Sequence, residues 1–193
     1  FKTIQRNSIQ YREITVLRFD CEGCLFAAAS NQGFIQIWDF DDYIHRKDGD
    51  TICQEIKTVY PNCRAISDIQ WHPSNENVIV VSFSSNPNIE IHDLLSSHVT
   101  NVGKLSPLPT SNSTKFSPTV IKFLNYNNES TNHKTRLGLI VGTRSGTLSF
   151  WHVPNNFGEG QYRDIRPRWS DVMADPHLNV VGKGSITSFD AVC

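Results

Sequence analysis

Three stretches of this chain fall into a single register, and that repetition constrains the fold more than any other feature. ITVLRFDCEGCLFAAASNQGFIQIWDF (14–40), ISDIQWHPSNENVIVVSFSSNPNIEIHDL (66–94) and PTVIKFLNYNNESTNHKTRLGLIVGTRSGTLSFWHV (118–153) each read strand, turn, strand, turn, strand. Leu17, Ile69 and Ile121 correspond, as do Phe19, Trp71 and Phe123, with 52 residues between successive copies. The far ends correspond as well: Ile35 with Ile89 and Leu148, Ile37 with Ile91 and Phe150, Trp38 with His92 and Trp151. A fourth copy opens at ITSFDAV (186–192). A repeat of this length is one supersecondary unit that buries its apolar faces only by stacking on its neighbours.

Inside each copy the pattern has the period of two that sends alternate side chains to opposite faces of a sheet. In FIQIWD, Ile35 and Ile37 point one way while Gln36 and Trp38 point the other. The middle strands LFAAAS, VIVVSF and LGLIVGT are apolar almost throughout, as strands covered on both faces are. Turn residues separate them: Asp20, Glu22 and Gly23 in the first copy, Pro73, Ser74 and Asn75 in the second, and a longer polar insertion, NYNNESTNHKT, in the third. No segment has a helical period, so an all-β chain is expected. Outer strands are expected at TICQEIKTVY (51–60) and HVTNVGKL (98–105). In the third copy the expected outer strand is LNVVG (178–182), after a polar and aromatic excursion over 155–185. The units then run over about 14–60, 66–105 and 118–182, with a further one starting at 186–193.

Charge and cysteine usage narrow the functional classes. With 18 basic and 19 acidic residues among 193, the formal net charge is −1, which argues against a chain that coats nucleic acid or an anionic membrane by bulk electrostatics. The five cysteines, Cys21, Cys24, Cys53, Cys63 and Cys193, make an odd and scattered set. Neither an apolar leader nor a run of about 18 apolar residues is present. The expectation is an intracellular protein, nuclear or cytoplasmic, with reduced thiols. The chain starts at Phe1 and stops in the middle of a strand at Cys193, so it is expected to be an excerpt of a longer protein with two open faces.

Strand, turn, a small-residue strand ending AAASNQG, then FIQIWDF resembles a WD repeat, the unit of a β-propeller blade with four antiparallel strands. The resemblance covers residues 11–153 and the new start after Gly184. It implies a partial propeller of about three and a half blades. The copies depart from the family pattern in the glycine-histidine pair before the first strand, which is missing. They depart again in the turn aspartate, replaced by Gln32, Asn86 and Ser145, and in the tryptophan-aspartate pair. That pair survives as Trp38-Asp39 and decays to His92-Asp93 and Trp151-His152. Stability is therefore expected to rest on blade-to-blade apolar packing.

Catalytic and metal chemistry find little support. Cys21 and Cys24 have knuckle spacing, but zinc needs four ligands and no second knuckle or closely spaced histidine pair follows. A redox pair would sit at a helix start in an α/β setting, whereas this one sits in a strand connection. No nucleophile elbow, His-Glu-x-x-His or phosphate-binding glycine loop is present. No enzyme activity, cofactor or metal is expected, with a metal or redox propeller using Cys21 and Cys24 as the rival.

The reading that remains, implied by the resemblance, is a scaffold that holds other proteins within an intracellular complex. The same resemblance places contacts in the turns between second and third strands (Asn31, Gln32, Asn86, Arg144, Ser145) and at the approaches to each first strand (Arg12, Arg64, Lys115). A separate candidate is QYRDIRPRWSD (161–171), where Tyr162, Arg163, Arg166, Arg168 and Trp169 combine the residue types that dominate interface hot spots. A narrower version is a substrate receptor of a cullin-type ubiquitin ligase. In such receptors an arginine often stands two positions after the Trp-Asp pair, and that position is Asp41 here, with Leu95 and Pro154 in the other copies.

Overall fold

A computed structural model describes residues 13–45, 55–59, 64–95, 101–105, 117–127, 135–146, 148–152 and 169–173. Each repeat builds one four-stranded antiparallel sheet. The first holds β1 (Ile14–Phe19), β2 (Leu25–Ser30), β3 (Ile35–Asp39) and β4 (Glu55–Val59). The second holds β5 (Ile66–His72), β6 (Asn75–Phe83), β7 (Asn86–Asp93) and β8 (Asn101–Leu105). The third holds β9 (Pro118–Asn127), β10 (Thr135–Thr143), β11 (Leu148–His152) and β12 (Trp169–Met173). In all three the strands lie in chain order, the meander that two-strand connections of short length dictate.

The register confirms the repeat at residue level. Leu17 pairs with Ala28, Ile69 with Val81 and Ile121 with Val141. Paired residues share a face, so the three sheets present equivalent faces to one another. Ala27, Ala29, Ile35, Ile37 and Val59 of the first sheet meet Ile66, Ile69, Trp71, Ile79, Val81 and Phe83 of the second. Val78, Val80, Ile89 and Ile91 on the second sheet's other face meet Ile121, Leu139 and Val141 of the third. Ala27 and Ala29 of β2 are buried in the first of these layers, as close approach of a neighbouring sheet requires. Packing of this kind stabilises by about 1.5–3 kcal/mol for each large aliphatic side chain fully buried.

Equivalence breaks in one place. Ile69 and Ile121 are 0% exposed, while Leu17, at the same position of the first sheet, is 51% exposed and Phe19 beside it 47%. The face that preceding blades cover in the second and third sheets meets no such layer in the first. Phe19 turns instead onto its own sheet, with ring centroids 5.0 Å from Phe26 and 4.8 Å from Phe40.

The chain is nearly all β, as expected, with one short helix, α1 (Phe40–His45); one expectation about its strands needs correction. Asp39 Oδ1 accepts the Asp42 backbone N–H at 2.8 Å and so caps its first turn, while Asp41 and His45 close at 3.3 Å, one turn apart. A helix of six residues is too short to show a period. The outer strand of the third sheet is Trp169–Met173, paired to β11 through Leu148–Met173 and Trp151–Trp169, rather than 178–182, which lies outside the described residues. WSDVM mixes polar and apolar residues on both parities, so its own pattern does not mark a strand. Trp169 is by that pairing a ladder residue and not part of a loop.

Candidate functional site

The first strand of every sheet is its edge, and these three edges, β1, β5 and β9, lie side by side. Each carries a β-bulge at the same point. Ile14 pairs with Ser30 and Val16 with Ala29, leaving Thr15 as the extra residue. Ile66 pairs with Phe83 and Asp68 with Ser82, leaving Ser67, and Pro118 pairs with Thr143 and Val120 with Gly142, leaving Thr119. A bulge re-aims one side chain out of the ladder, and here that side chain is a hydroxyl every time. Thr15 donates to the Ile66 carbonyl of the next sheet at 3.0 Å, and Ser67 to the Pro118 carbonyl of the next at 2.8 Å. Thr119 donates to the Gly142 carbonyl of its own sheet at 3.2 Å.

Asp68 ties the three edges together. Its side chain is 2% exposed. Oδ1 accepts from Arg18 Nη2 of the first sheet at 2.9 Å and from its neighbour's Ile69 N–H at 2.9 Å, while Oδ2 accepts the Ile121 N–H of the third sheet at 2.9 Å. Burial pushes this carboxyl above the ordinary range, against the opposing pull of the Ile121 N–H, Arg18, the Ile69 N–H and the Gln70 side chain. The Trp71 indole adds a further cross-sheet bond to the Arg18 carbonyl at 3.3 Å. Between the edges lies a cavity of about 510 Å³, open to solvent, whose wall includes Ile14, Thr15, Arg18, Ser67, Asp68 and Thr119.

At the cavity's mouth the turns between second and third strands stand beside the approaches to the first. Three equivalent backbone bonds hold them there: Asn31 N to Glu13 O at 3.0 Å, Ser84 N to Ala65 O at 2.9 Å and Arg144 N to Ser117 O at 2.9 Å. Gly33 and Gly146 close the first and third of these turns with φ of 83° and 85°, a backbone region that penalises any side chain.

The fold is that of part of a β-propeller. Across 84% of its length the chain superposes on a chain in a crystal structure of a mitotic checkpoint complex, with a TM-score of 0.53 and 12% sequence identity. It spans 38% of that chain. No family model and no curated protein matches the sequence.

Of the residues singled out by sequence, Asn31, Gln32, Arg64, Arg144 and Ser145 are exposed at the mouth. The hydrogen bonds above explain why the two loop sets share one end. Asn86 is a correction. It is 7% exposed, and its carboxamide oxygen accepts from the Asn88 N–H at 3.1 Å and from Asn88 Nδ2 at 3.0 Å. The reason is turn length: Phe83 pairs directly with Asn86 across a two-residue turn, which draws Asn86 into the ladder, whereas the first and third turns are longer. Arg12, Lys115, Tyr162, Arg163, Arg166 and Arg168 lie outside the described residues. Trp169 is placed by its backbone in β12, the outer strand of the third sheet, whereas Asn31 and Gln32 belong to the first.

The cysteine pair sits at the opposite end, in the β1–β2 connection. Cys21 is exposed and Cys24 half-buried, both as free thiols. The Cys24 carbonyl accepts the Phe40 N–H at 2.7 Å, as the Asn77 carbonyl accepts the Leu94 N–H at 2.7 Å in the second blade, so this connection is part of the repeat. Burial raises the Cys24 thiol pKa, and the carboxylates of Asp20, Asp41, Glu22 and Asp39 raise it further. That environment holds the sulfur as a thiol, the reverse of what a nucleophilic or redox cysteine needs. No group of three or more metal-ligating side chains gathers among the described residues.

Sequence reasoning missed Asp68, Arg18 and the bulge hydroxyls. Their signal was present: Thr15, Ser67 and Thr119 recur at the 52-residue step, one position after the residue that opens each first strand.

Proposed function

We propose that this chain is a non-enzymatic scaffold of the WD-repeat kind, holding other proteins in an intracellular complex through the mouth end of its blades. The observation that carries this is the gathering, by three equivalent backbone bonds, of exposed polar turns around one open cavity. A rigid meander presenting irregular turns at one end is a common way to build a recognition surface, since the sheets fix the positions and the turns are free to vary. The superposed chain belongs to a multiprotein complex, which agrees with a role in assembly, though a fold does not fix a function.

The test is steric at the mouth and changes charge only at the other end. Gln32→Trp combined with Ser85→Trp changes two exposed turn residues at the mouth, and Glu22→Gln with Glu76→Gln changes two exposed residues at the other end. Cross-linking mass spectrometry on the protein recovered from cells should show partner cross-links lost with the tryptophan pair and kept with the glutamine pair, at unchanged melting temperature. Partners retained by the tryptophan pair would remove the mouth as the contact surface.

A further inference from the structure

Charged residues in the described connections differ between the two ends of the blades. Glu22, Asp39, Asp41, Asp42, Glu76 and Asp93 belong to the end that carries the β1–β2 and β5–β6 connections, where Lys57 Nζ also reaches the Leu94 carbonyl. At the mouth stand Arg64 and Arg144, both exposed, and Glu13, whose Oε2 accepts from Asn31 Nδ2 at 3.1 Å. Among these residues one end is acidic and the mouth carries a small cationic excess. Fields of this kind orient a charged partner before contact.

Inside the mouth the hydrogen-bonding groups are unevenly spent. A carboxylate has about four lone-pair sites, and Asp68 fills them with the Ile69 and Ile121 N–H groups, Arg18 and Gln70. It is therefore saturated as an acceptor. Arg18 gives Nη2 to Asp68 and Nη1 to its neighbour's Leu17 carbonyl at 3.0 Å, yet its side chain remains 40% exposed on the cavity wall. With five donors in a fixed fork, it keeps N–H groups for a ligand and is already held in place to present them. The Thr15 hydroxyl spends its proton on a carbonyl, so its oxygen offers lone pairs, whereas Ser67 donates to the Pro118 carbonyl and meets the Ser82 hydroxyl at 2.9 Å. Ile14, at the same wall, is 44% exposed and Leu17 51%.

From these features we propose that the mouth receives an extended acidic segment of a partner protein. A carboxylate of that segment meets Arg18, a backbone N–H meets the Thr15 oxygen, and an apolar side chain covers Ile14. Arg64 and Arg144 draw the segment in and the acidic end turns it away. This rests on the scaffold reading and names the chemistry of the partner.

Fluorescence anisotropy at low salt decides it, using short labelled peptides of alternating Glu and Leu, Ser and Leu, or Lys and Leu, and a labelled single-stranded oligonucleotide as a second polyanion. The Glu peptide should bind at least about tenfold more tightly than the others, a free-energy difference a single charge-assisted contact supplies. Arg18→Gln should abolish that preference, with circular dichroism confirming the fold. Arg64→Gln with Arg144→Gln, both exposed, should slow association and flatten its salt dependence without needing Arg18 to be touched. Equal binding of the Ser and Glu peptides, tighter binding of the oligonucleotide, or indifference to both sets of variants would overturn the proposal. If cross-links at the mouth persist while none of these results favours the Glu peptide, the acidic-segment inference fails alone and the scaffold reading stands.

Discussion

Truncating one repeat position in successive blades tests the architecture directly. Leu17 and Ile69 carry isomeric side chains at equivalent positions of β1 and β5, and pair with Ala28 and Val81 in the same register. Ile69 is 0% exposed in the layer between first and second sheets, and Leu17 is 51% exposed. Ile69→Ala removes buried methyl and methylene groups and leaves a cavity in a layer that the flanking Phe83, Trp71 and Val81 cannot collapse to fill, so the loss should be about 2–5 kcal/mol. Leu17→Ala leaves no cavity. Half of a full Leu burial, itself about 1.5–3 kcal/mol, bounds its cost at roughly 1 kcal/mol. Ile121→Ala, also at 0% exposure, should behave as Ile69→Ala does. Urea unfolding followed by far-ultraviolet circular dichroism reads all three, with unchanged slope showing that the compactness of the end states is preserved. A Leu17→Ala loss equal to that of Ile69→Ala would mean that the first blade's face is covered in the folded protein, and the blade-by-blade account of packing would fall.

Four further expectations follow, three from the site and one from the cysteine pair. Asp68→Ala strands the buried Ile69 and Ile121 N–H groups and the Arg18 guanidinium, and should cost about 3–5 kcal/mol, the usual result of breaking a buried pair. Because burial holds the Asp68 pKa above the ordinary carboxylate range, its contribution to stability is fully present below that range and is lost as pH rises through the raised value; wild-type stability measured against Asp68→Asn should decline across that window, and a gap that widens with pH would refute the assignment. Ser67→Ala removes the bond to the Pro118 carbonyl and should lower stability by about 0.5–1.5 kcal/mol, with Thr15→Val doing the same one sheet earlier; chemical denaturation of the two singles and the double should show near-additive losses. Cys24 should alkylate with iodoacetamide more slowly than a free cysteine at the same mildly alkaline pH, because its raised pKa leaves less thiolate, and faster labelling than the free amino acid would restore the redox reading.

Much of the fold was legible because a repeat supplies its own alignment. The step from Leu17 to Ile69 to Ile121 placed the inner strands, and Trp38, His92 and Trp151 placed the third strand of each sheet; Ile69, Ile121, Trp38 and His92 are all buried. What escaped was local or tertiary. Helix α1 depends on one cap, Asp39 to the Asp42 N–H, which a search for periodicity does not register. Asn86 looked like its counterparts Gln32 and Ser145 because its burial is set by the length of a turn, and strand β12 stayed hidden because its partner β11 lies far back in sequence across a polar excursion. Side-chain chemistry at the inner edges was legible in position but not in meaning: Thr15, Ser67 and Thr119 aligned, yet nothing in the chain announces a bulge.

The inner edges also bear on how a blade with a decayed hydrogen-bond pattern keeps its place. Where the resemblance would put a polar network within each blade, the second blade has His92, 0% exposed, at 3.2 Å from Glu90 on its own strand, and the first has Trp38 against Phe26. Five bonds that cross between sheets, Thr15 to Ile66, Ser67 to Pro118, Arg18 to Asp68, Asp68 to Ile121 and Trp71 to Arg18, lie on β1, β5 and β9, while Lys57 to the Leu94 carbonyl and Ser117 to the Ser84 carbonyl cross elsewhere. Apolar layers supply most of the free energy between sheets but are tolerant of small slips, because dispersion and area burial are nearly non-directional. Directional bonds concentrated at the inner edge fix the register that those layers leave loose, and they do so at the wall of the cavity where a partner would be read. The proposed recognition would draw on the same few residues that set position, so that a substitution such as Asp68→Ala should disturb the mouth before it disturbs the layers.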